Sequence, residues 1–266
     1  PRTGMTMHPG GGAAVAADVA ICAALYAVVK GLTAPIPTPW QVGQFLPGVV
    51  VPALFSITRG GWVGGAGAAL GTFVGDTLFL TPLHLTNPFL SLVAGVPSNF
   101  VGFLLFGRLL GGRGSWSRFT VASALSLCVG NLVAAVGVVA VLFSYLPPNA
   151  QLVTVIGLTF FWFATMVPFM FTLLPLMMRA VASSPTAKRW AGPSWGGESR
   201  TRVFAAGAIS SVPLFGLFAL SLGPWFASLL GPLNPVSATV SYLVLASAIT
   251  MLCAPVAPYL AGPKRG

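Results

Sequence analysis

Residues 45–80 read FLPGVVVPALFSITRGGWVGGAGAALGTFVGDTLFL, two apolar runs parted by one arginine and a pair of glycines. The first run is short, stops at Arg59 and carries Pro47 and Pro52, so it predicts a bent or partly unwound helix whose freed backbone groups are covered by neighbours. The second, about 62–80, holds a single charge, Asp76, and has the length a helix needs to cross the hydrocarbon layer of a membrane. Its glycines recur every four residues at Gly67, Gly71 and Gly75, preceded by Gly60, Gly64 and by Gly61, Gly65. Missing side chains on one face let a second helix approach closely, which is where packing energy in lipid comes from.

The same texture covers the whole chain. Of its 266 residues 56% are hydrophobic and 6% charged, with a mean hydropathy of +0.90; a soluble domain carries about a quarter charged residues. Apolar runs bounded by charge or Pro/Gly clusters fall at about 13–34, 44–58, 62–80, 89–107, 119–145, 152–178, 203–222 and 237–261. These predict an all-α integral membrane protein. The divisions are a tail at 1–12, a six-helix membrane body at 13–182, a hydrophilic linker at 183–202, a two-helix extension at 203–262 and a tail at 263–266.

Charge sets the expected orientation. Thirteen Lys and Arg face three Asp and Glu, a net +10, yet the basic residues sit singly or in small groups between spans. Twelve of them fall on one side if the N-terminus is cytoplasmic, and the four opposite connections contain none; Lys30 is the exception. That asymmetry predicts a plasma-membrane protein with both termini inside, and makes anionic lipid headgroups the counter-ions rather than nucleic acid. Trp40 and Trp225 then mark the outer boundary and Trp62 and Trp116 the inner one, whereas Trp162 lies near the midplane.

Three cysteines, Cys22, Cys128 and Cys253, lie in apolar runs without CxxC spacing, which argues against a disulfide framework or a metal site. The first apolar run shows no cleavage site and is expected to remain as a helix. Catalytic motifs are lacking: Glu198 is the one glutamate, His8 and His84 are far apart, and no HExxH, GxSxG or phosphate-cradling loop occurs. The expectation is a protein that is not an enzyme and needs no cofactor.

Lys30 and Asp76 are opposite charges in the outer third of the membrane. Ionisable groups there are costly unless paired or lining a polar cavity, and the sequence leaves both outcomes open; Lys30 has a third, snorkelling to the headgroups. Asp18, at the start of the first helix, suits the positive helix end. Asn99, Asn131, Thr159, Trp162 and Thr165 lie at comparable or greater depth, and segment 35–46 with His84, Asn87, Tyr145 and Gln151 lies in the outer connections. Together they predict an outward-opening pocket of amide and aromatic groups, suited to a planar, largely neutral small molecule. A small-residue line on the first helix, Ala16, Ala20 and Ala24, with parallel lines through Ala13, Ala17 and Ala23, Ala27, fits either packing within the monomer or docking of another subunit.

The quoted run, followed by VPSNFVGFLLFGRLLG at 96–111, resembles the substrate-binding S components of energy-coupling factor (ECF) type ABC transporters. The likeness covers residues 13–182 and rests on the proline-containing second helix, the Gly-Trp inner turn, the glycine-laddered third helix ending in Gly-Asp, and the Asn-Phe-x-Gly-Phe fourth helix. It implies a six-helix S-component-like bundle that captures a vitamin or related micronutrient from outside and passes it on with a transmembrane T subunit and a pair of ATPases. It also implies T-subunit docking through Ala16, Ala20 and Ala24, a pocket cap of Trp40, Gln41 and Gln44, and a wall of Asn99, Asn131, Tyr145, Gln151 and Trp162. Metal-binding members use an N-terminal histidine; the single His8 does not make that site. The last two spans depart from the six-helix pattern. A stand-alone transporter or channel, or a non-catalytic membrane scaffold, are the alternatives.

Overall fold

The computed structural model describes residues 11–36, 42–111, 114–183, 199–221 and 234–256, and their regular structure is helical. Helix α1 is Gly12–Thr33, and a 3-10 turn at Pro47–Val49 leads into α2, Val50–Arg59. Helix α3 runs Gly61–Leu80, α4 Pro88–Leu110 and α5 Trp116–Leu142. Helix α6, Pro148–Phe171, breaks at Thr172 into α7, Leu173–Ser183; α8, Arg200–Ser221, and α9, Asn234–Leu252, follow. The terminal tails at 1–10 and 257–266, and 184–198 of the linker, lie outside the described residues.

Among the described residues, five segments are long and apolar enough to cross a membrane: α1, α3, α4, α5 and the continuous stretch Pro148–Ser183. The Pro47–Arg59 helix is shorter, as its two prolines and Arg59 foretell. Large apolar side chains face outward, Leu32 at 74%, Ile209 at 71% and Phe89 at 63% exposure. A water-soluble surface does not tolerate so many exposed apolar groups, whereas lipid solvates them. The chain is therefore an all-α membrane protein.

Helix ends fall where the sequence supplies local partners. Asn87 Oδ1 accepts from the Leu90 N–H at 2.8 Å, with Pro88 in the first helical position of α4. Ser115 Oγ accepts from the Arg118 N–H at 3.2 Å and starts α5. Gly60, at φ 97°, turns α2 into α3 within one residue, a conformation open to glycine.

Helix α3 is the axis of the bundle, and its glycines stand where neighbouring backbones occupy the space of a side chain. A Cβ at Gly71 would lie 2.7 Å from the carbonyl oxygen of Ala23, and one at Gly67 2.6 Å from Cys22 Cβ, so that face is filled by α1. On another face a Cβ at Gly65 would lie 2.8 Å from Phe100 O of α4, and Gly64 abuts Pro52 and Ser56 of α2. Of the three alanine lines on α1, the one through Ala23 and Ala27 is buried here; Ala16, Ala20 and Ala24, on the neighbouring stripe, are exposed. Asp18 does more than meet a helix end, pairing with Arg59 Nε at 3.3 Å and tying α1 to the end of α2.

The order of neighbours continues from α3 to α4, α5 and α6, and the α8–α9 hairpin packs on α5 and α6. Ser247 Oγ of α9 donates to Ala164 O of α6 at 2.6 Å. At the end of α4 and the start of α5 the bundle is packed solid: Phe119 meets Phe106, Trp116 and Phe171 edge-on, at centroid separations of 6.1, 5.5 and 5.4 Å. Each such aromatic pair adds about 0.5–1.5 kcal/mol beyond its area of burial. The other end of the same helices is hollow.

Candidate functional site

Helices α3 and α4 form a hairpin around 81–87. Asp76 stands five residues before that loop and Ser91 four after it, so the two reach the same depth from opposite directions. Each opens a wider π-helical turn, Asp76–Leu80 in α3 and Ser91–Gly95 in α4; such turns are frequent at functional sites. Ser91 Oγ donates to Asp76 Oδ2 at 2.7 Å. The other carboxylate oxygen pairs with Lys30 Nζ at 2.6 Å, and that ammonium lies 5.9 Å from the centroid of the Tyr26 ring. Lys30 and Asp76 are both 5% exposed. Pairing and cavity lining are thus both realised, because the ion pair itself forms part of a cavity wall.

That cavity encloses about 780 Å³, its open mouth included. Helices α3, α4, α5 and α6 wall it, Lys30 enters from α1, and the strap 42–46 lies across it. The strap is fixed at several points. The Gly43 N–H donates to Leu85 O at 3.0 Å and the Phe45 N–H to Ile36 O at 2.9 Å. Gln44 Nε2 donates at 2.6 Å to Lys30 O and at 2.6 Å to Thr33 Oγ1, satisfying the last turn of α1. Gly43 adopts φ 68°, and a Cβ there would lie 3.1 Å from the indole of Trp162. Gly43→Ala is therefore expected to cost about 1–2 kcal/mol, since an L-residue is disfavoured in that region and the indole must also give way. Thermal unfolding in detergent checks this against Gly12→Ala, whose new methyl would meet nothing within 4 Å.

Two asparagines brace the walls. Tyr26 Oη donates to Asn99 Oδ1 at 3.0 Å, joining α1 to α4, while Asn99 Nδ2 donates to Gly95 O at 2.9 Å. Asn131 Nδ2 reaches Met166 Sδ at 3.4 Å and joins α5 to α6. Trp162 lies about four turns into α6, which begins at Pro148.

Of the ligand residues expected from the sequence, Gln44, Asn99, Asn131 and Trp162 line the cavity, together with Lys30 and Asp76. Trp40 and Gln41 lie outside the described residues. Tyr145 and Gln151 stand apart from the lining. Helix α5 ends at Leu142 rather than at about 145, so Tyr145 falls in the tight turn to α6 and is 77% exposed. Gln151 spends its amide on that turn, Nε2 donating to Ser144 O at 3.1 Å and Leu146 O at 2.7 Å. The lining also includes Thr72, Ser91 and Met166, which the sequence does not single out, and apolar residues such as Phe103 and Leu127. Equal counting from the 81–87 loop was the available signal for Ser91; Met166, apolar in an apolar run, offers none.

Chemically the chamber is neutral. Its two charges cancel, several of its amide and hydroxyl groups are already hydrogen-bonded, and the remainder of the described lining is largely apolar, as in sites that bind small organic molecules. Compared with protein-family models, with curated proteins and with solved structures, the chain matches none of them.

Proposed function

We propose that the chain is the membrane-embedded solute-binding subunit of a multi-component importer of the ECF type, holding a vitamin-like small molecule for uptake powered by separate ATPase subunits. The observation that carries this reading is the half-hollow bundle, a largely apolar chamber closed beneath by packed aromatic rings and crossed above by a strap. The motifs at 45–80 and 96–111 that resemble S components supply part of the walls of that chamber. The exposed line Ala16, Ala20 and Ala24 leaves a small-residue face of α1 free for a transmembrane T subunit. In this reading the mouth faces outward, both termini are cytoplasmic, the protein catalyses no reaction, and α8–α9 is an addition to the six-helix body.

Mass spectrometry of small molecules released by denaturing the detergent-purified protein tests the proposal. A stoichiometric compound is expected from the native protein and is expected to be lost from Trp162→Ala and Asn131→Ala, which remove two walls of the chamber. Release of nothing from protein purified without washing steps, or equal release from both variants, would count against it. A second reading, a stand-alone transporter, draws on the buried Lys30–Asp76 pair; solute accumulation in vesicles containing this chain alone would favour it.

A further inference from the structure

Four buried polar atoms of the cavity-lining residues have no hydrogen-bond partner: Asp76 Oδ1, which is ion-paired with Lys30 instead, Thr72 Oγ1, Gln44 Oε1 and Trp162 Nε1. Gln44 and Trp162 are deeply buried, at 1% and 6% exposure. Buried polar groups are paired as a rule, and an unpaired one calls for a specific explanation. The orientation of the Gln44 amide is not arbitrary. Its nitrogen meets the carbonyl oxygen of Lys30, which can only accept, so the amide oxygen is the end left over. The indole N–H can only donate. Beside the Thr72 hydroxyl, which can serve as either, the unspent capacity is thus one acceptor and one donor.

Gln44 and Trp162 both line the cavity, and the strap joins them. Gly43, adjacent to Gln44 in the strap, lies against the indole, where a Cβ would come within 3.6 Å of Trp162 Nε1. The charges of the chamber are already spent on each other, Lys30 on Asp76, so a charged ligand gains no counter-ion there. Beyond them the lining includes Leu46, Val49, Phe103, Leu127 and Val138, a surface for a flat apolar body. The geometry points to a neutral heterocyclic lactam as the class of ligand, its ring carbonyl accepting from Trp162 Nε1 and its adjacent ring N–H donating to Gln44 Oε1. This rests on the solute-binding reading and narrows it to one edge of the solute. The strap carries one of the two groups and lies on the other, so the lactam edge is held beneath it.

Three probes separate the possibilities in equilibrium dialysis against the full chain in lipid nanodiscs: quinazolinone with adjacent ring N–H and C=O, its N-methyl derivative, and naphthalene, which has neither group. The lactam is expected to bind about tenfold or more tightly than either analogue, because the N-methyl derivative leaves Gln44 Oε1 unpaired and naphthalene leaves both groups unpaired. Trp162→Phe keeps a ring in place and removes the N–H. It is expected to lower lactam affinity by a similar factor and leave naphthalene unchanged, with the unfolding temperature recorded to show that the variant folds. Equal binding of the three probes by the native chain, or a preference untouched by Trp162→Phe, would overturn the lactam edge while leaving the chamber as a binding site. Binding of none also overturns it, and the solute-binding reading is then decided separately by the released molecule.

Discussion

Asp76→Leu destabilises the folded chain by about 3–5 kcal/mol, and adding Lys30→Met returns most of that loss. The asymmetry follows from where the charges sit. Removing the carboxylate leaves an ammonium 5% exposed among apolar helices with no counter-charge, whereas removing both charges leaves two apolar side chains of similar reach. The Ser91 hydroxyl, which donates to Asp76, loses its partner in both variants, so its contribution cancels when the single and the double are compared. A double-mutant cycle on unfolding in mixed micelles measures the coupling. A double variant as unstable as the sum of the two singles would show that the pair contributes nothing as a pair.

Gly71→Leu has an effect of comparable size for a different reason. Space, not charge, is the limiting quantity at the α1–α3 contact. Even a methyl at this position would meet Ala23 O at 2.7 Å and Ala23 Cα at 3.1 Å, backbone atoms that move only if α1 moves as a whole. Overpacking a tight contact costs about 1–3 kcal/mol, and a leucine forced against backbone lies at about 3 kcal/mol, the upper end. Gly216→Ala on α8, whose Cβ would meet nothing within 4 Å, is expected to be neutral or slightly stabilising through helix propensity. Equal stability of the Gly71 and Gly216 variants would mean that the helices are not held at the separation described.

The long helices are legible in the sequence because a membrane span needs only length and apolarity, both local properties. The glycine ladder of α3 announced a close approach as plainly, but not its partner. Three alanine lines on α1 have equivalent spacing, and only the fold distinguishes the buried Ala23 and Ala27 from the exposed Ala16, Ala20 and Ala24. Lys30 and Asp76 stand out as charges wherever they occur, yet their 2.6 Å separation depends on how far α1 slides along α3, which the glycines at 67, 71 and 75 set jointly. The π-turns have no marker in composition. Tyr145 and Gln151 stand apart from the cavity lining for the opposite reason: polarity near a helix end signals a turn as readily as a pocket, and here the turn takes both.

The contrast between the two ends of the bundle has an electrical consequence. Rings of Phe106, Phe119 and Phe171 fill one end and a strapped chamber occupies the other, so among the described residues the cavity is a cup that stops at the aromatic rings. Under the proposed solute-binding reading, a planar bilayer doped with this chain alone is expected to behave as an insulator, a step of voltage giving at most a brief displacement of the buried charges and no steady current.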